Sequence, residues 1–474
     1  MTKITGQQEK GQMNEAHDRA ERREKWVDGL MGRLTREQKV GQLMVFGCAG
    51  PFITPAVVEL ITKYHVGGLR ISQKFHAGDA FERRGTRPEY VKRSTRPPDA
   101  NSYDRPAGMR RVSCTPTEYA RTLNRLRDYA LDRKDGIGLH FTFDQEGEGA
   151  DFLFGQRFFP LPMGLAASGD PSLAYRVARA IGKQARALGA NMIHSPVLDV
   201  NTNPRNPEIG PRAYGDTPEE VSRYAVESLR GFSDMGIVAT GKHFPGRGES
   251  EEDAHFGLPS VPLDRPTMMD VHIAPYRALI EAGLPAVMAA FTAYPGLGAH
   301  DVPAATCTEI ITDILRGELG FDGVVTTDNI QMGGLLEKYE IGDAVIRSLN
   351  AGCDLILCRS ETPVTTYLVE EVCRAVEDGR YSESCLDVSV QRILRMRWDM
   401  GLSENGGKVD AEAAGLPFDD EEVTATADDA ARMSLALACN DGNTLPLSRE
   451  TKVLLVEQVH HFHSFVNTMY AHPA

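Results

Sequence analysis

No apolar run in this sequence approaches the roughly 18 residues that a helical membrane span requires, which argues against a bilayer-crossing helix. The opening residues, MTKITGQQEKGQMNEAHDRAERREKW, lack the apolar core of a secretory signal, and a cytoplasmic protein is expected. Excess positive charge is also missing: 52 Lys and Arg stand against 66 Asp and Glu, a net of -14. Such a surface repels phosphate backbones and anionic lipid, so neither nucleic-acid nor membrane partners are expected. Cysteine is sparse, with eight residues scattered through core-like segments: Cys48, Cys114, Cys307, Cys353, Cys358, Cys373, Cys385 and Cys439. Cys353 and Cys358 lie close together, but no matching Cys/His pair completes a zinc set, so no metal and no cofactor is expected. The disulfide argument for small secreted domains does not apply at 474 residues, and all eight are expected to be buried, reduced thiols.

What the chain does have is size and alternation. Its 474 residues with 41% hydrophobic content suit one large domain, or one large domain with a partial second. Strand-length apolar pieces recur: QLMVFG from Gln42, VGGLRIS from Val66, GLHFTFD from Gly138, NMIHSPVLD from Asn191, VATGKHF from Val238, AVMAAF from Ala286, GVVTTDN from Gly323 and DLILCR from Asp354. Being apolar at both alternating positions, they read as strands covered on both faces. Amphipathic helical stretches lie between them, starting at Pro116, Ser172, Thr217 and Cys307, with Asp216-Thr217-Pro218-Glu219-Glu220 as a start signal and Gly189 and Gly320 as stops. Eight strands with intervening helices predict an α/β fold, a (β/α)8 TIM barrel; a doubly wound open sheet is the alternative, because periodicity does not show closure.

The expected organisation is a polar segment over 1–27, a catalytic barrel over 28–403 and a linker with an incomplete C-terminal domain over 404–474. Residues 74–113, rich in Arg, Pro and Gly, follow the second strand and should overhang the C-terminal face of the barrel. They read either as a solvated insertion or as a lid. Asp144, Asp199, Lys242, His243 and Asp328 fall at the C-terminal ends of their strands, which is the catalytic face of such a barrel.

Two loops carry the chemistry. The first, GKHFPGRGESEEDAHFGLP from Gly241, holds two histidines, a lysine and several acids between glycines and prolines. Asp253 and His255 are two apart, so in a loop the carboxylate can bond one imidazole nitrogen and raise the basicity of the other. In the second, GFDGVVTTDNIQMGGL from Gly320, Asp328 ends a buried strand. It reads either as an N-cap for the following helix or as a carboxylate facing an anomeric carbon. A retaining glycosidase needs one nucleophilic carboxylate and one acid/base group, and Asp328 and His255 supply both.

With these motifs in view, the chain resembles glycoside hydrolase family 3, specifically its β-N-acetylglucosaminidase branch. The resemblance rests on KHFPGRGESEEDAH from Lys242, on LTREQKVGQLMVFG from Leu34, DQEG at Asp144, PVLDVNTNPRNPEIGPRAYG at Pro196, TTDNIQMGGL at Thr326, AGCDLILC at Ala351 and RILRMRWDMGL at Arg392. It implies that Asp328 is the nucleophile, His255 the acid/base and Asp253 its orienting partner. It also implies that Asp144, Arg212, Lys242 and His243 grip sugar hydroxyls, that no metal or cofactor takes part, and that the partner is a small carbohydrate carrying a terminal β-linked N-acetylhexosamine. The same residues admit phosphorolysis in place of hydrolysis, since a histidine does not repel phosphate. A β-glucosidase or xylosidase, and a catalytically dead sugar-binding barrel, are the remaining alternatives.

The family's DQEGGRVxR reads DQEGEGADF here, with Glu148 for the second glycine and Phe152 for a substrate-contacting arginine; Arg157 or a residue of 74–113 is the candidate replacement. Arg247 stands for the second histidine of KHFPGHG, and Phe291 for the histidine that usually follows the sixth strand. The tail CNDGNTLPLSRETKVLLVEQ resembles the start of the α/β-sandwich domain of larger members.

Overall fold

The computed structural model describes residues 2–48, 50–71, 114–147, 158–359, 363–437, 440 and 445–448, with side chains from residue 17 onward. The insertion expected over 74–113, together with Glu148, Phe152, Arg157, Cys439 and the tail from 449, lies outside the described residues.

Eight parallel strands close into a barrel: β1 Met44–Gly47, β2 Gly68–Arg70, β3 His140–Phe143, β4 Met192–Ile193, β5 Val238–Phe244, β6 Ala286–Ala289, β7 Val324–Asn329 and β8 Leu355–Cys358. Closure is made by β8 against β1, with Met44 opposite Ile356 and Phe46 opposite Cys358. Every strand falls inside an apolar run identified in the sequence, and the open-sheet alternative is excluded. The fourth run is the least regular. Its ladder ends at Ile193, before Pro196, which has no N–H to donate, and the chain rejoins β5 through a single bridge between Val197 and Lys242.

The helices form where capping chemistry permits. Thr217 caps Pro218–Asp234 by accepting from the Glu220 N–H, and Gly189 ends Pro171–Leu188 with φ +97. Asp328 is not an N-cap. It lies within β7, and the next helix, Gly333–Leu336, starts from Met332.

At the N-terminal end of the barrel, Arg397 and His140 are fully buried. A Cβ on Gly67 would sit 2.0 Å from the Arg397 guanidinium, and one on Gly68 would sit 2.2 Å from the His140 ring. These two side chains therefore plug the barrel floor, with Arg397 donating to the Gln42 side chain. The stretch from 404 to 433 packs back on the barrel. Helix Glu421–Met433 lies against Pro171–Leu188, with Lys183 paired to Asp420 at 2.6 Å and Arg176 to Asp429 at 3.0 Å. The N-terminal helix Thr2–Met31 reaches helix Glu383–Asp399 through Trp26 against Trp398 and Glu24 with Arg395.

Among the described residues, no helix is long and apolar enough to cross a membrane. The expectation of buried thiols fails at Cys385, which is exposed, and is only partly met at Cys114 and Cys373, which are half-buried. It occupies the first turn of Glu383–Asp399, where its N–H bonds the capping Ser382 and its side chain faces outward.

Candidate active site

The C-terminal ends of the strands gather the expected polar residues into two connected clusters. The deeper one surrounds Asp144 and Lys242. Asp144 accepts from Arg70 Nε and NH2 at 2.9 and 2.6 Å and meets His194 Nδ1 at 3.1 Å. Lys242 Nζ lies 2.6 Å from Glu146 and 3.5 Å from Asp144. Arg212 makes a two-pronged bond to Glu146 at 2.7 and 2.9 Å. Burial by itself raises both carboxyls, but the surrounding partners prevail. Arg70, His194 and Lys242 hold Asp144 well below its usual range, and Arg212 and Lys242 bring Glu146 down to about 2. Both are charged, fixed acceptors at neutral pH.

His243 points away from this cluster. It is 2% exposed, and its Nδ1 lies 2.8 Å from Asp199. Burial, with Arg247, Arg212 and Lys242 nearby, pushes its pKa far down, while burial lifts Asp199 to about 6. Asp199 also accepts the Arg247 backbone N–H at 2.7 Å, so the pair fixes the base of the loop that follows Phe244.

That loop carries the second cluster. His255 Nδ1 lies 2.7 Å from Asp253 Oδ1, which also accepts the His255 backbone N–H at 2.9 Å. The imidazole thus has Nδ1 engaged by the carboxylate, as the two-residue spacing predicts. Burial lowers the His255 pKa, but the bond to Asp253 and the charges of Glu208, Asp253 and Asp328 more than offset this and raise it.

Asp328 reaches the site from β7. Its side chain is 15% exposed, and its Oδ1 accepts the Asn329 N–H at 2.7 Å. The turn that follows is fastened to the histidine loop by two backbone bonds, Gly333 N–H to the His255 carbonyl at 3.1 Å and Gly334 N–H to the Ala254 carbonyl at 2.9 Å. Neither glycine has room for a side chain. A Cβ on Gly333 would lie 2.5 Å from the Phe256 carbonyl carbon, and one on Gly334 would lie 2.5 Å from the Phe291 oxygen. Leu258 adds a third tie, donating to Glu337 at 2.7 Å. The two loops that carry Asp253, His255 and Asp328 therefore form one unit.

Sequence reasoning left four residues of these clusters without a role. Arg70 was visible as a charge inside an otherwise apolar strand run, and Glu146 lies within the DQEG motif. His194 sits in the fourth apolar run. Glu208 had no local signal: its Oε1 lies 2.6 Å from Arg247 NH2 and 3.5 Å from His255 Nδ1, contacts that only the fold creates. Glu208, Asp253 and His255 offer donor atoms within 4.8 Å of one another. The Arg247 guanidinium against Glu208 already supplies the positive charge there, so the group reads as an ion-pair network, not a metal centre. Phe291 is fully buried in the core.

Comparison with known proteins agrees with this architecture. The chain is 33% identical over 300 residues to the beta-N-acetylglucosaminidase/beta-glucosidase of Cellulomonas fimi, covering 61% of this chain and 52% of that protein. It is 35% identical over 252 residues to a beta-hexosaminidase of Stenotrophomonas maltophilia, covering 51% of this chain and 72% of the relative. Among solved structures, the family 3 beta-N-acetylglucosaminidase of Paenibacillus sp. str. FPU-7 superposes with a TM-score of 0.68 at 33% identity, over 83% of this chain and 69% of that one. The chain spans about half the length of two of the curated relatives it matches. Residues 35–396 match the profile described as the glycosyl hydrolase family 3 N terminal domain, and the chain belongs to that family.

Proposed function

We propose that this protein is a retaining β-N-acetylhexosaminidase, with Asp328 as nucleophile, His255 as acid/base and Asp253 as the residue that orients it. The observation that carries the reading is the joining of the Asp253–His255 loop to the Asp328 turn by the Gly333 and Gly334 backbone bonds. A retaining mechanism needs a nucleophile beneath the sugar and a proton donor beside the leaving oxygen, held in fixed relation.

In the first step a carboxylate oxygen of Asp328 attacks C1, the C1–O bond breaks, and the leaving oxygen takes the proton from His255 Nε2. In the second step water attacks C1, His255 takes the proton released, and Asp328 leaves as a carboxylate. The sugar keeps its β configuration. Asp253 holds Nδ1, so the proton that moves is the one on Nε2. Asp144, Lys242 and Arg212 fit the role of hydroxyl-binding groups, since mutually paired charges, with Asp144 part-exposed and the two cations buried, give fixed donors and acceptors. His243 is better suited to fixing Asp199 and the loop base than to touching the sugar. The N-acetyl preference rests on the histidine dyad and on the relatives named for N-acetylglucosaminidase and hexosaminidase activity. A cytoplasmic location accords with the unbridged thiols of Cys114, Cys307, Cys353, Cys373 and Cys385.

A panel of p-nitrophenyl glycosides with and without the 2-acetamido group, run with and without phosphate, tests the reading. Turnover of the 2-acetamido substrates to free sugar is expected, together with its complete loss in Asp328→Ala. A sugar 1-phosphate product, a preference for glucosides, or an active Asp328→Ala enzyme would each overturn the corresponding part.

A further inference from the structure

Arg247 stands where the family motif has histidine, and the roles assigned above leave it unused. It is 2% exposed, and its Nε and NH1 have no hydrogen-bond partner among the described residues. Unmet donors on a buried guanidinium are costly, so their direction is informative. NH1 lies 4.0 Å from Asp328 Oδ2, the carboxylate oxygen that the Asn329 N–H does not hold. NH2 lies 2.6 Å from Glu208, whose Oε1 is 3.5 Å from His255 Nδ1 and 3.7 Å from Arg212 NH1. Asp253 already bonds Nδ1, so Glu208 acts on the ring as a near, fixed negative charge.

We infer that Arg247 and Glu208 are positioning residues, a buried charge pair that links the nucleophile Asp328 to the acid/base His255 and makes the charge on one respond to the charge on the other. The inference rests on the functional reading above. Before reaction, Arg247 faces two carboxylates, Asp328 and Glu208. Once Asp328 is esterified at C1, its charge is gone and Arg247 is left to Glu208 alone. The negative field on the imidazole then weakens, which favours the unprotonated ring that the second step needs. Among the described residues, the charged and titratable groups that face His255 include Asp253 on its own loop, Glu208 after β4, Asp328 on β7 and His243 on β5, with Arg247 behind Glu208.

The test is the pH dependence of kcat/KM on a p-nitrophenyl N-acetylglucosaminide. It compares wild type with Glu208→Gln, Glu208→Asp, Arg247→Met, the Glu208→Gln/Arg247→Met double variant and Asp328→Ala. Loss of the Glu208 charge should move the alkaline limb down by about one pH unit, while Glu208→Asp should leave it near the wild-type position. Arg247→Met should lower kcat by about ten- to a hundredfold. The double variant should lose less than the product of the single losses, because it leaves no unpaired buried charge. A folded Glu208→Gln enzyme with an unmoved limb, equal shifts in the Gln and Asp variants, or multiplicative losses would overturn the inference. Should Glu208→Gln not fold, Arg247→Met decides instead: loss of the cation should move the alkaline limb up, and an unmoved limb would overturn the inference. A wild type inactive on every glycoside, or an active Asp328→Ala, would instead defeat the functional reading itself.

Discussion

Alanine at Gly333 should separate the two catalytic loops without touching a reacting group. The added Cβ would lie 2.5 Å from the Phe256 carbonyl carbon, 2.7 Å from its oxygen and 2.8 Å from the His255 oxygen, whereas ordinary contact begins at 3.4 Å. All three are backbone atoms, so no side chain can swing aside, and the loop must retreat by about 0.9 Å. That movement also stretches the Gly333 N–H bond to the His255 carbonyl. A misplacement of about 1 Å costs on the order of a hundredfold in rate, and the overpacking costs about 1–3 kcal/mol of stability. The displaced group is the proton donor, so the loss should be larger for alkyl or sugar leaving groups than for nitrophenolate, which departs without a proton. The assay is kcat across a series of leaving groups, with thermal unfolding as the control for folding. A Gly333→Ala enzyme with wild-type kcat on poor leaving groups would refute the idea that this contact sets the position of His255.

Three further outcomes follow from the charges. Asp253→Asn keeps an acceptor oxygen but removes the charge that helps to raise His255, so the alkaline limb of kcat/KM should move to lower pH; an unmoved limb in the pH profile would contradict the orienting role. Lys242→Met leaves Asp144 and Glu146 with one buried cation fewer and should cost on the order of 3 kcal/mol in urea unfolding as well as activity. His272 is 1% exposed, and burial lowers its pKa to about 4. The unfolded chain therefore takes up the proton first, and stability present above about pH 6.5 should fall as the pH drops towards 4, by about 3 kcal/mol in all. His272→Leu should flatten that slope in denaturant titrations at pH 7 and pH 4.5.

The fold was legible because barrel strands are buried on both faces and carry apolar runs bounded by glycine and proline. The end of β4 was less so. His194-Ser195-Pro196 continues the run in composition but leaves the ladder in space. The Asp253–His255 bond was legible because it is local, two residues apart in one loop. The roles of Glu208 and Arg247 were not, since each gains meaning only from a partner that another strand delivers. The position of His243 shows the same limit from the other side. Its motif placed it beside Lys242, but the ladder is irregular between Lys242 and Phe244, and the ring meets Asp199 and not the Lys242 cluster. Cys385 shows how a core-like run can still face solvent at a helix start.

The plugged floor of the barrel has a consequence for traffic. Because Arg397 and His140 fill the N-terminal end, a guest at the catalytic face has no passage through the barrel to the far side. On the proposed reading, the departing aglycone, the incoming water and finally the freed monosaccharide all use the same opening, in that order. A bulky aglycone that lingers there would block the arrival of water, and hydrolysis would then be timed by how quickly the doorway clears.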